Sequence, residues 1–421
     1  MTAPASAPRT TRLPSEIWVL VSASFVIALG FGIVAPALPQ FAVSFGVGAF
    51  AATVVISSFA LMRLLFAPVS GSLVQRIGER PTYLTGLLIV AGSTGAVAFA
   101  SNYWQLLVFR GIGGIGSTMF TVSALGLLIR ISPPQLRGRV AGLYATAFLF
   151  GSIGGPLVGA ALVGFGLRVP FVIYAVALLV AAAVVYFRLK DSPLAAPERQ
   201  AEAVTMTFRA ALRSPVYRAA LLSNFANGWA VFGVRIALVP LFVVQALHAS
   251  DRYAGIALTV FAVGNALVQI QAGRLSDVHG RRPFVLAGLV ITGVCTVAIG
   301  FSPTLWAMLA VSAVAGIGSG LMNPAQQAAV ADVVGSKARG GPVLAAFQMA
   351  SDVGSVVGPL VAGLLAERFS YSAAFAVTGA LTVPALIAWL LAAGSTRDAD
   401  PDREPDEVRR ADRDETEHQL P

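Results

Sequence analysis

The chain has 421 residues, of which 56% are hydrophobic and 12% are charged, and its formal net charge is +9. This composition excludes an ordinary soluble domain and indicates a membrane protein. The basic residues lie mainly in short loops between apolar runs, which favours contact with membrane lipid over nucleic-acid binding.

Twelve apolar runs reach the length of about 20 residues that is needed to cross a hydrocarbon core. A polar connector (189–214) separates the first six runs from the last six, and an acidic segment (395–421) follows the twelfth. The sequence therefore predicts an all-α membrane protein with an N-terminal tail (1–15), two six-helix bundles (16–188 and 215–394) and a disordered acidic tail. The predicted spans begin near Ile17, Ala49, Pro81, Trp104, Val140, Val169, Tyr217, Tyr253, Pro283, Leu305, Pro342 and Tyr371.

Lysine and arginine residues are distributed unevenly between the loops. If both termini are cytoplasmic, the inner segments hold most of these residues, and the outer loops hold only Arg168, Arg252 and Arg368. Because cytoplasmic loops retain positive charge, we expect a multi-pass protein of the inner (plasma) membrane with both termini in the cytoplasm. A single cysteine, Cys295, and three histidines form no ligand cluster, so neither a metal nor a cofactor is predicted.

The chain repeats itself with a shift of about 200 residues. Three patches recur in the same order, which indicates two homologous halves. Secondary transporters are commonly built in this way, with a binding site between the halves. The matched patches are GSLVQRIGERPTYLTG at 71–86 with GRLSDVHGRRPFVLAG at 273–288, GIGS at 114–117 with 316–319, and GSIGGPLVGA at 151–160 with GSVVGPLVAG at 354–363.

Further motifs lie in the first half. The first span contains LGFGIVAPALP, with Gly30, Pro36 and Pro39, and the fourth span contains LLVFRGIGGIGS, with Arg110. Its hexapeptide GIGGIG fits a dinucleotide-binding fingerprint, but it lies inside an apolar span instead of after a strand, so helix packing explains it.

Together these motifs resemble those of the major facilitator superfamily and, within it, of the twelve-helix drug/proton antiporters. The repeated loops resemble G-x-L-x-D-R-x-G-R-K, although Gln75 replaces the family's Asp in the first copy, where the second copy keeps Asp277. The fourth span is similar to R-x-x-Q-G-x-G-A at Arg110, and the fifth resembles G-x-x-x-G-P-x-x-G-G at 151–160. The first span is similar to G-x(5)-P-x-x-P.

The resemblance implies the major facilitator fold and alternating access, with proton-coupled efflux of a small organic or drug-like molecule by a monomer. A sugar or metabolite carrier of the same superfamily is the alternative, and a transport-dead sensor is a further one. The chain contains no nucleophile–base arrangement and no P-loop, so an enzyme is not predicted.

The repeated motifs are expected to support movement between conformations. Glycines four residues apart let two helices approach closely, and a following proline bends the helix axis; a static helix crossing is the alternative. The loop arginines would join the halves on the cytoplasmic side through ion pairs, or would only reflect the orientation. These candidates are Gly71, Gly78, Arg80, Gly151, Gly155, Pro156, Gly273, Asp277, Gly280, Arg281, Arg282, Gly358 and Pro359.

Four ionisable residues lie inside predicted spans: Arg63, Arg110, Arg235 and Asp352. They are functional candidates because burying a charge in the membrane costs roughly 2.5 to 3.5 kcal/mol on insertion scales. A rise of 1.5 Å per residue places Asp352 about 15 Å and Arg63 about 10 Å from the inner face. Arg63 is therefore the expected partner of Asp352, and the resemblance, which implies that the second and eleventh helices are neighbours, supports this pairing.

Two interpretations of Asp352 follow. Burial disfavours a charged carboxylate and a nearby arginine stabilises it, so an acid that loses and regains Arg63 between conformations can bind and release a proton. In that interpretation Asp352, Arg63 and Arg110 form the proton-coupling group. The alternative is a permanent ion pair that fixes the packing of the halves. Family members often carry an acidic residue on the first or fourth helix, and this chain has none there.

The resemblance also implies that the first, fourth, seventh and tenth helices line the cavity. Trp229 lies well inside the seventh span, where either stacking on a planar ligand or helix packing explains it. Arg110 and Arg235 would suit an anionic or amphiphilic solute better than a cation. The candidate substrate contacts are Phe25, Phe31, Arg110, Asn227, Trp229, Arg235, Asn323 and Gln326.

Overall fold

The computed structural model of the protein describes residues 13–132, 137–189, 207–334 and 341–392. Within these residues, twelve helices are long and apolar enough to cross a membrane, and each begins within two residues of its predicted start. We number them α1 to α12 in chain order: Ser15–Val43, Ala49–Ile77, Glu79–Ala98, Tyr103–Leu128, Gly142–Val163, Val169–Leu189, Pro215–Ala246, Arg252–His279, Arg281–Gly300, Leu305–Val334, Pro342–Arg368 and Tyr371–Leu391. The predicted all-α fold with twelve spans is thereby confirmed.

The acidic segment and most of the N-terminal tail and connector lie outside the described residues, so the predicted domain boundaries stay predictions. The connector residues that are described include a single helical turn, Phe208–Ala211, which Thr207 caps by accepting a hydrogen bond from the Ala210 amide. Pro215 occupies the first turn of α7, where its missing N–H group is tolerated.

The two bundles repeat the same helix packing. In the first bundle α1 packs on α5, and α4 packs on both α2 and α3; in the second, α7 packs on α11, and α10 packs on both α8 and α9. The bundles meet through two equivalent interfaces, α2 with α11 and α5 with α8. The predicted arrangement of two pseudo-symmetric six-helix bundles is thus observed.

The glycine motif on α5 makes a close helix crossing inside the first bundle. A Cβ atom added to Gly151 would lie 2.6 Å from the Phe25 carbonyl oxygen, and one added to Gly155 would overlap the Leu29 carbonyl oxygen. The same approach occurs between α11 and α7, where a Cβ atom at Gly358 would lie 2.9 Å from the Trp229 carbonyl oxygen. These glycines permit backbone contact that larger residues would prevent.

Contacts between the bundles run from one face of the molecule to about mid-depth. We call the face where α6 ends and α7 begins the connector face, and the other the opposite face. At the opposite face Glu367 of α11 accepts a hydrogen bond from the Phe50 amide of α2 (2.8 Å). Deeper, Ser57 donates to the Val356 carbonyl oxygen (2.8 Å).

Toward the connector face the helices separate. On α2 and α8, which both run from the opposite face to the connector face, residues 49–60 and 254–264 are mostly buried, whereas residues 61–77 and 265–279 are mostly exposed or half-buried. At the other end of the α5–α8 interface, an added Cβ atom on Gly255 would lie 2.7 Å from the Ala160 side chain. The space between the bundles is therefore closed at the opposite face and opens toward the connector face.

Helix α7 departs from the regular span that the sequence predicts. It is α-helical over Pro215–Asn227, π-helical over Gly228–Arg235, α-helical over Ile236–Leu241 and π-helical again over Phe242–Ala246. Wide π turns are rare and often occur at functional sites. The first wide turn begins at Gly228, where an added Cβ atom would overlap the Ser351 carbonyl oxygen of α11.

Candidate functional site

An ion pair joins the two bundles at mid-depth. Arg63 Nη2 on α2 lies 3.9 Å from Asp352 Oδ1 on α11, and the two side chains are 26% and 17% exposed. A second nitrogen, Arg63 Nη1, donates to Ser117 Oγ on α4 (3.3 Å). The structure thus brings together the two residues that depth along the sequence had paired, and it adds Ser117, which the sequence analysis did not identify.

Two buried arginines lie on phenylalanine rings. The guanidinium carbon of Arg110 on α4 is 3.9 Å from the centroid of the Phe59 ring, and that of Arg235 on α7 is 3.8 Å from the Phe261 ring. Attraction between a cation and the face of an aromatic ring stabilises both arrangements. We call them the arginine–phenylalanine pairs. Arg110 is 8% exposed and Arg235 is 4% exposed.

The arginine–phenylalanine pairs leave hydrogen-bond donors unused. Within the described part of the chain, Arg110 Nε and Arg235 Nε and Nη1 are buried atoms without a hydrogen-bond partner. Phe59 precedes Arg63 by four residues on α2, so it lies on the same helix face, one turn closer to the opposite face. Phe31, a predicted substrate contact, has its ring 6.4 Å from that of Phe59.

The predicted contacts on α10 form a satisfied amide network with α7. Gln326 is 1% exposed; it accepts from Ser223 Oγ (2.8 Å) and donates to Asn323 Oδ1 (3.1 Å). Asn323 in turn donates to Ser319 Oγ (3.0 Å). These amides therefore already have partners inside the second bundle, whereas Asn227 on α7 keeps a buried, unpartnered Oδ1 atom.

Trp229 and Phe25 have different surroundings. The Trp229 indole is 6% exposed and donates to Thr378 Oγ1 on α12 (3.3 Å). Its ring also packs against Gly358, where an added Cβ atom would lie 2.9 Å from Trp229 Cγ. These contacts match the helix-packing interpretation of Trp229. Phe25 is 37% exposed.

The arginines of the repeated loops contact their own bundle. Arg80 Nη2 donates to the Tyr186 carbonyl oxygen at the end of α6 (3.0 Å). The equivalent Arg282 donates to the carbonyl oxygens of Trp389 (3.1 Å) and Leu390 (3.0 Å) at the end of α12. Cations suit helix C-termini because carbonyl groups there are unpaired and the helix dipole is negative.

The second loop also holds an ion-pair cluster. Arg281 contacts Asp277 and lies 3.2 Å from Asp332 at the end of α10. The first loop has Gln75 in place of Asp277 and Glu79 in place of Arg281, so these residues of the cluster are not repeated in the first half. Both loops turn through a glycine with positive φ, Gly78 at +88° and Gly280 at +86°, a conformation that glycine adopts without strain. A role of these loops in joining the halves stays a prediction.

The sequence of this chain, which forms two equivalent helix bundles, matches a known protein family. A family model described as Major Facilitator Superfamily matches residues 20–235 and 220–420. The chain belongs to the major facilitator superfamily. Members of this superfamily are transporters of small molecules, and this one is a multi-pass membrane protein.

Individual relatives of this transporter are drug-resistance proteins. It is 24% identical over 356 residues to the quinolone resistance protein NorA of Staphylococcus aureus (strain COL), covering 83% of this chain and 89% of NorA. It is 25% identical over 379 residues to the multidrug resistance protein MdtG of Salmonella paratyphi C (strain RKS4594), covering 87% and 92%. These matches support the resemblance to drug/proton antiporters that the motifs indicated.

The fold of the transporter matches that of solved superfamily structures. One is the crystal structure of a bacterial homolog to the human lysosomal transporter Spinster in an inward-facing and unoccupied conformation. Its TM-score is 0.72 at 18% identity, with coverage of 91% of this chain and 96% of that one. At this identity the likeness concerns the fold.

Sequence analysis of the transporter missed Phe59, Phe261, Ser117 and Glu367. The repeat contained a signal for the first three, because a shift of 202 residues relates Phe59 to Phe261 and Ser117 to Ser319. Glu367 had no such signal, since its role depends on where the end of α11 meets the start of α2.

Proposed function

We propose that this transporter is a proton-coupled exporter of a small organic or drug-like molecule. It works by alternating access as a monomer in the inner (plasma) membrane. The observation that carries the proposal is the Arg63–Asp352 ion pair between the two bundles. A pair whose members belong to different bundles changes its geometry whenever the bundles move relative to each other.

The orientation in the proposal rests on the distribution of basic residues. The connector face carries the loops with Arg76, Arg80, Arg281 and Arg282, and cytoplasmic loops are the ones that retain such residues next to anionic lipid. With this face in the cytoplasm, the opening between the bundles is an inward-facing one. Both termini then lie in the cytoplasm.

In the proposed cycle Asp352 is ionised in this inward-facing conformation, where Arg63 Nη2 lies 3.9 Å from its carboxylate. A nearby cation favours the charged form of a carboxylate. The partial exposure of both side chains connects the pair to the cytoplasmic opening, so the proton that Asp352 releases can leave toward the cytoplasm.

When the bundles close at the connector face and open at the opposite face, the pair must rearrange. A carboxylate that loses its arginine in a site of low dielectric is unfavourable as an anion, so Asp352 binds a proton from outside. Arg63 can keep its hydrogen bond to Ser117, because both belong to the first bundle. One cycle then moves one proton inward. Solute export is supported by the drug-resistance relatives and by the glycine–proline motif on α5.

The test is proton movement in liposomes that contain the purified protein, under an imposed pH gradient and with a panel of drug-like solutes. We expect a solute to drive proton flux in the wild type, and Asp352→Asn to exchange the solute without moving protons. Asp251→Asn is the matched control, because Asp251 is a carboxylate directly before α8 at the opposite face, away from the ion pair at mid-depth. Proton flux that persists in a folded Asp352→Asn protein would overturn proton coupling at Asp352.

A further inference from the structure

The proton pathway proposed above uses Arg63 and Asp352 and does not use the arginine–phenylalanine pairs, although sequence analysis also assigned Arg110 to the proton-coupling group. We propose that they bind a negatively charged group on the transported solute, so that the substrates are amphiphilic organic anions. The inference rests on the proposed function in that it assumes transport, and it names the substrate class.

The first observation is the uncompensated charge of the two arginines. Within the described residues, the ion pairs are Arg63 with Asp352 and Arg281 with Asp277 and Asp332, and neither Arg110 nor Arg235 is among them. Both are almost completely buried. A buried charge without a counter-ion is unfavourable, and a bound anion would compensate it.

The second observation is the geometry of the free donors. Each ring covers one face of a guanidinium group, and donors in the guanidinium plane remain: Nε of Arg110, and Nε and Nη1 of Arg235. Carboxylate, sulfonate and phosphate oxygens accept such in-plane N–H groups, often two at a time. The apolar rings beside the donors suit the hydrocarbon part of an amphiphile.

The third observation is that the two halves supply these arginines from different helices. Phe59 and Phe261 are equivalent in the repeat, with a shift of 202 residues, so the pseudo-two-fold relation places them at equal depth. The arginines are not equivalent, because the same shift relates Arg110 to Ser312 and Arg235 to Ile33. The repeat therefore does not explain two cations at one depth, whereas a site for an anionic group at each arginine does.

The fourth observation concerns helix α7. Arg235 is the last residue of the π-helical segment Gly228–Arg235, and Asn227, which has an unpartnered Oδ1 atom, directly precedes that segment. A π turn rotates the side chains that follow it relative to a regular helix. The irregular backbone and the unpaired polar atoms thus coincide on α7, as expected where a helix forms part of a ligand site.

The depth of the pairs separates anion binding from proton coupling. Phe59 lies one turn, about 5.4 Å along the axis, from Arg63 on the side of the opposite face. A cationic solute at the arginine–phenylalanine pairs would add to the positive charge of Arg110 and Arg235. A neutral solute would leave that positive charge uncompensated.

The experiment measures binding to the purified full-length protein in detergent by equilibrium dialysis. The probes share one ring system: naphthalene-2-carboxylate, naphthalene-2-sulfonate and naphthyl phosphate as anions, naphthalene-2-carboxamide as the neutral isostere, and naphthylmethylammonium as the cation. We expect at least one anion to bind about tenfold more tightly than the carboxamide. The ranking of the three anions distinguishes a carboxylate from a sulfonate or phosphate substrate.

Variants assign the selectivity to the two arginines. Arg110→Gln and Arg235→Gln should each reduce anion affinity about tenfold and leave carboxamide binding unchanged. Arg110→Lys and Arg235→Lys keep the charge and should retain part of the anion affinity. The Lys variants replace a Gln variant that does not fold. Arg168→Gln is the matched control. Arg168 also lies over a ring, 5.5 Å from that of Phe41, but it donates to the carbonyl oxygens of Ala98 and Ala100.

Two results would overturn the inference. The first is that no anion binds more tightly than the carboxamide. The second is that the preference for anions is unchanged in the Gln variants, or in the corresponding Lys variant where a Gln variant does not fold. The outcome is separate from that of the proton experiment. Asp352→Asn should keep anion selectivity while losing proton movement. If Asp352→Asn abolishes proton flux but the protein shows no preference for anions, the proposed function stands and the proposed substrate class is wrong. If the protein prefers anions but proton flux persists in Asp352→Asn, the substrate class stands and proton coupling at Asp352 is wrong.

Discussion

Arg63 and Asn265 occupy equivalent positions in the two repeats, and each donates a hydrogen bond to the equivalent serine of a neighbouring helix. Arg63 Nη1 lies 3.3 Å from Ser117 Oγ, and Asn265 Nδ2 lies 3.2 Å from Ser319 Oγ. The repeat thus builds the same contact twice, with a charge only in the first copy. Because Asp352 corresponds to Leu149 in the other half, the carboxylate is also restricted to one interface.

This asymmetry predicts the effect of Arg63→Asn, which gives α2 the residue found on α8. The variant should keep the Ser117 contact but leave Asp352 without its cation, and lose solute-driven proton flux. We expect destabilisation by about 1 to 3 kcal/mol, less than for a fully buried pair because both side chains are partly exposed. Thermal unfolding of the purified protein measures the change.

A double-mutant cycle with Asp352→Asn provides the control. If the two side chains interact directly, the double variant should be less destabilised than the sum of the single variants. Additive effects would show that the 3.9 Å contact contributes no coupling energy, and they would contradict an ion pair that changes between conformations.

The hydrogen bond from the Phe50 amide to Glu367 is expected to affect how often the protein opens at the opposite face. The Glu367 carboxylate accepts from the Phe50 amide in the first turn of α2, and the residue before that helix, Gly48, has no side chain to cap it. Glu367 therefore caps a helix of the other bundle. Glu367→Gln removes the charge that favours a helix N-terminus, so we expect the population open at the opposite face to rise about fivefold, which corresponds to about 1 kcal/mol.

Spin labels on Ser101 and Thr304, in loops of different bundles at the opposite face, report this change by electron–electron distance measurement in a Cys295→Ala background. The distance distribution should gain a longer component in Glu367→Gln. Glu367→Asp is the control, since it keeps the charge but shortens the reach to the Phe50 amide. A distribution identical to that of the wild type in Glu367→Gln would show that the cap does not hold this face closed.

Sequence reasoning succeeded where one-dimensional spacing determines structure. Hydropathy located the twelve spans, and the rise per residue along α2 and α11 was enough to pair Arg63 with Asp352. Sequence reasoning failed where contacts depend on the lateral packing of helices against each other. Arg235, which stacks on Phe261, is the last residue of the π-helical segment Gly228–Arg235, and the spacing of residues in the sequence does not indicate that segment.

The glycine motif on α5 predicts a stability difference between two similar substitutions. Gly155→Ala places a Cβ atom against the Leu29 carbonyl oxygen of α1, so α1 and α5 must move apart; overpacking of this kind costs about 1 to 3 kcal/mol. Gly71→Ala is the control, because its added Cβ atom meets no described atom within 4 Å and alanine favours the helix.

Thermal unfolding of the two variants in the same detergent makes the comparison. The midpoint of Gly155→Ala should fall, and that of Gly71→Ala should stay unchanged or rise. Equal midpoints would mean that the α1–α5 crossing tolerates expansion. That outcome would favour the interpretation of the glycine face as a movable contact over that of a static crossing.

The contacts of Trp229 predict that its substitution lowers stability but leaves the affinity for a solute nearly unchanged. Trp229→Phe removes the hydrogen bond to Thr378 and part of the ring that packs on Gly358. Loss of a buried hydrogen bond costs about 1 kcal/mol, so the unfolding midpoint should fall. Because the indole is enclosed by α7, α11 and α12, affinity for a transported solute should stay within about twofold of wild type. A large loss of affinity with unchanged stability would instead place Trp229 in the solute site.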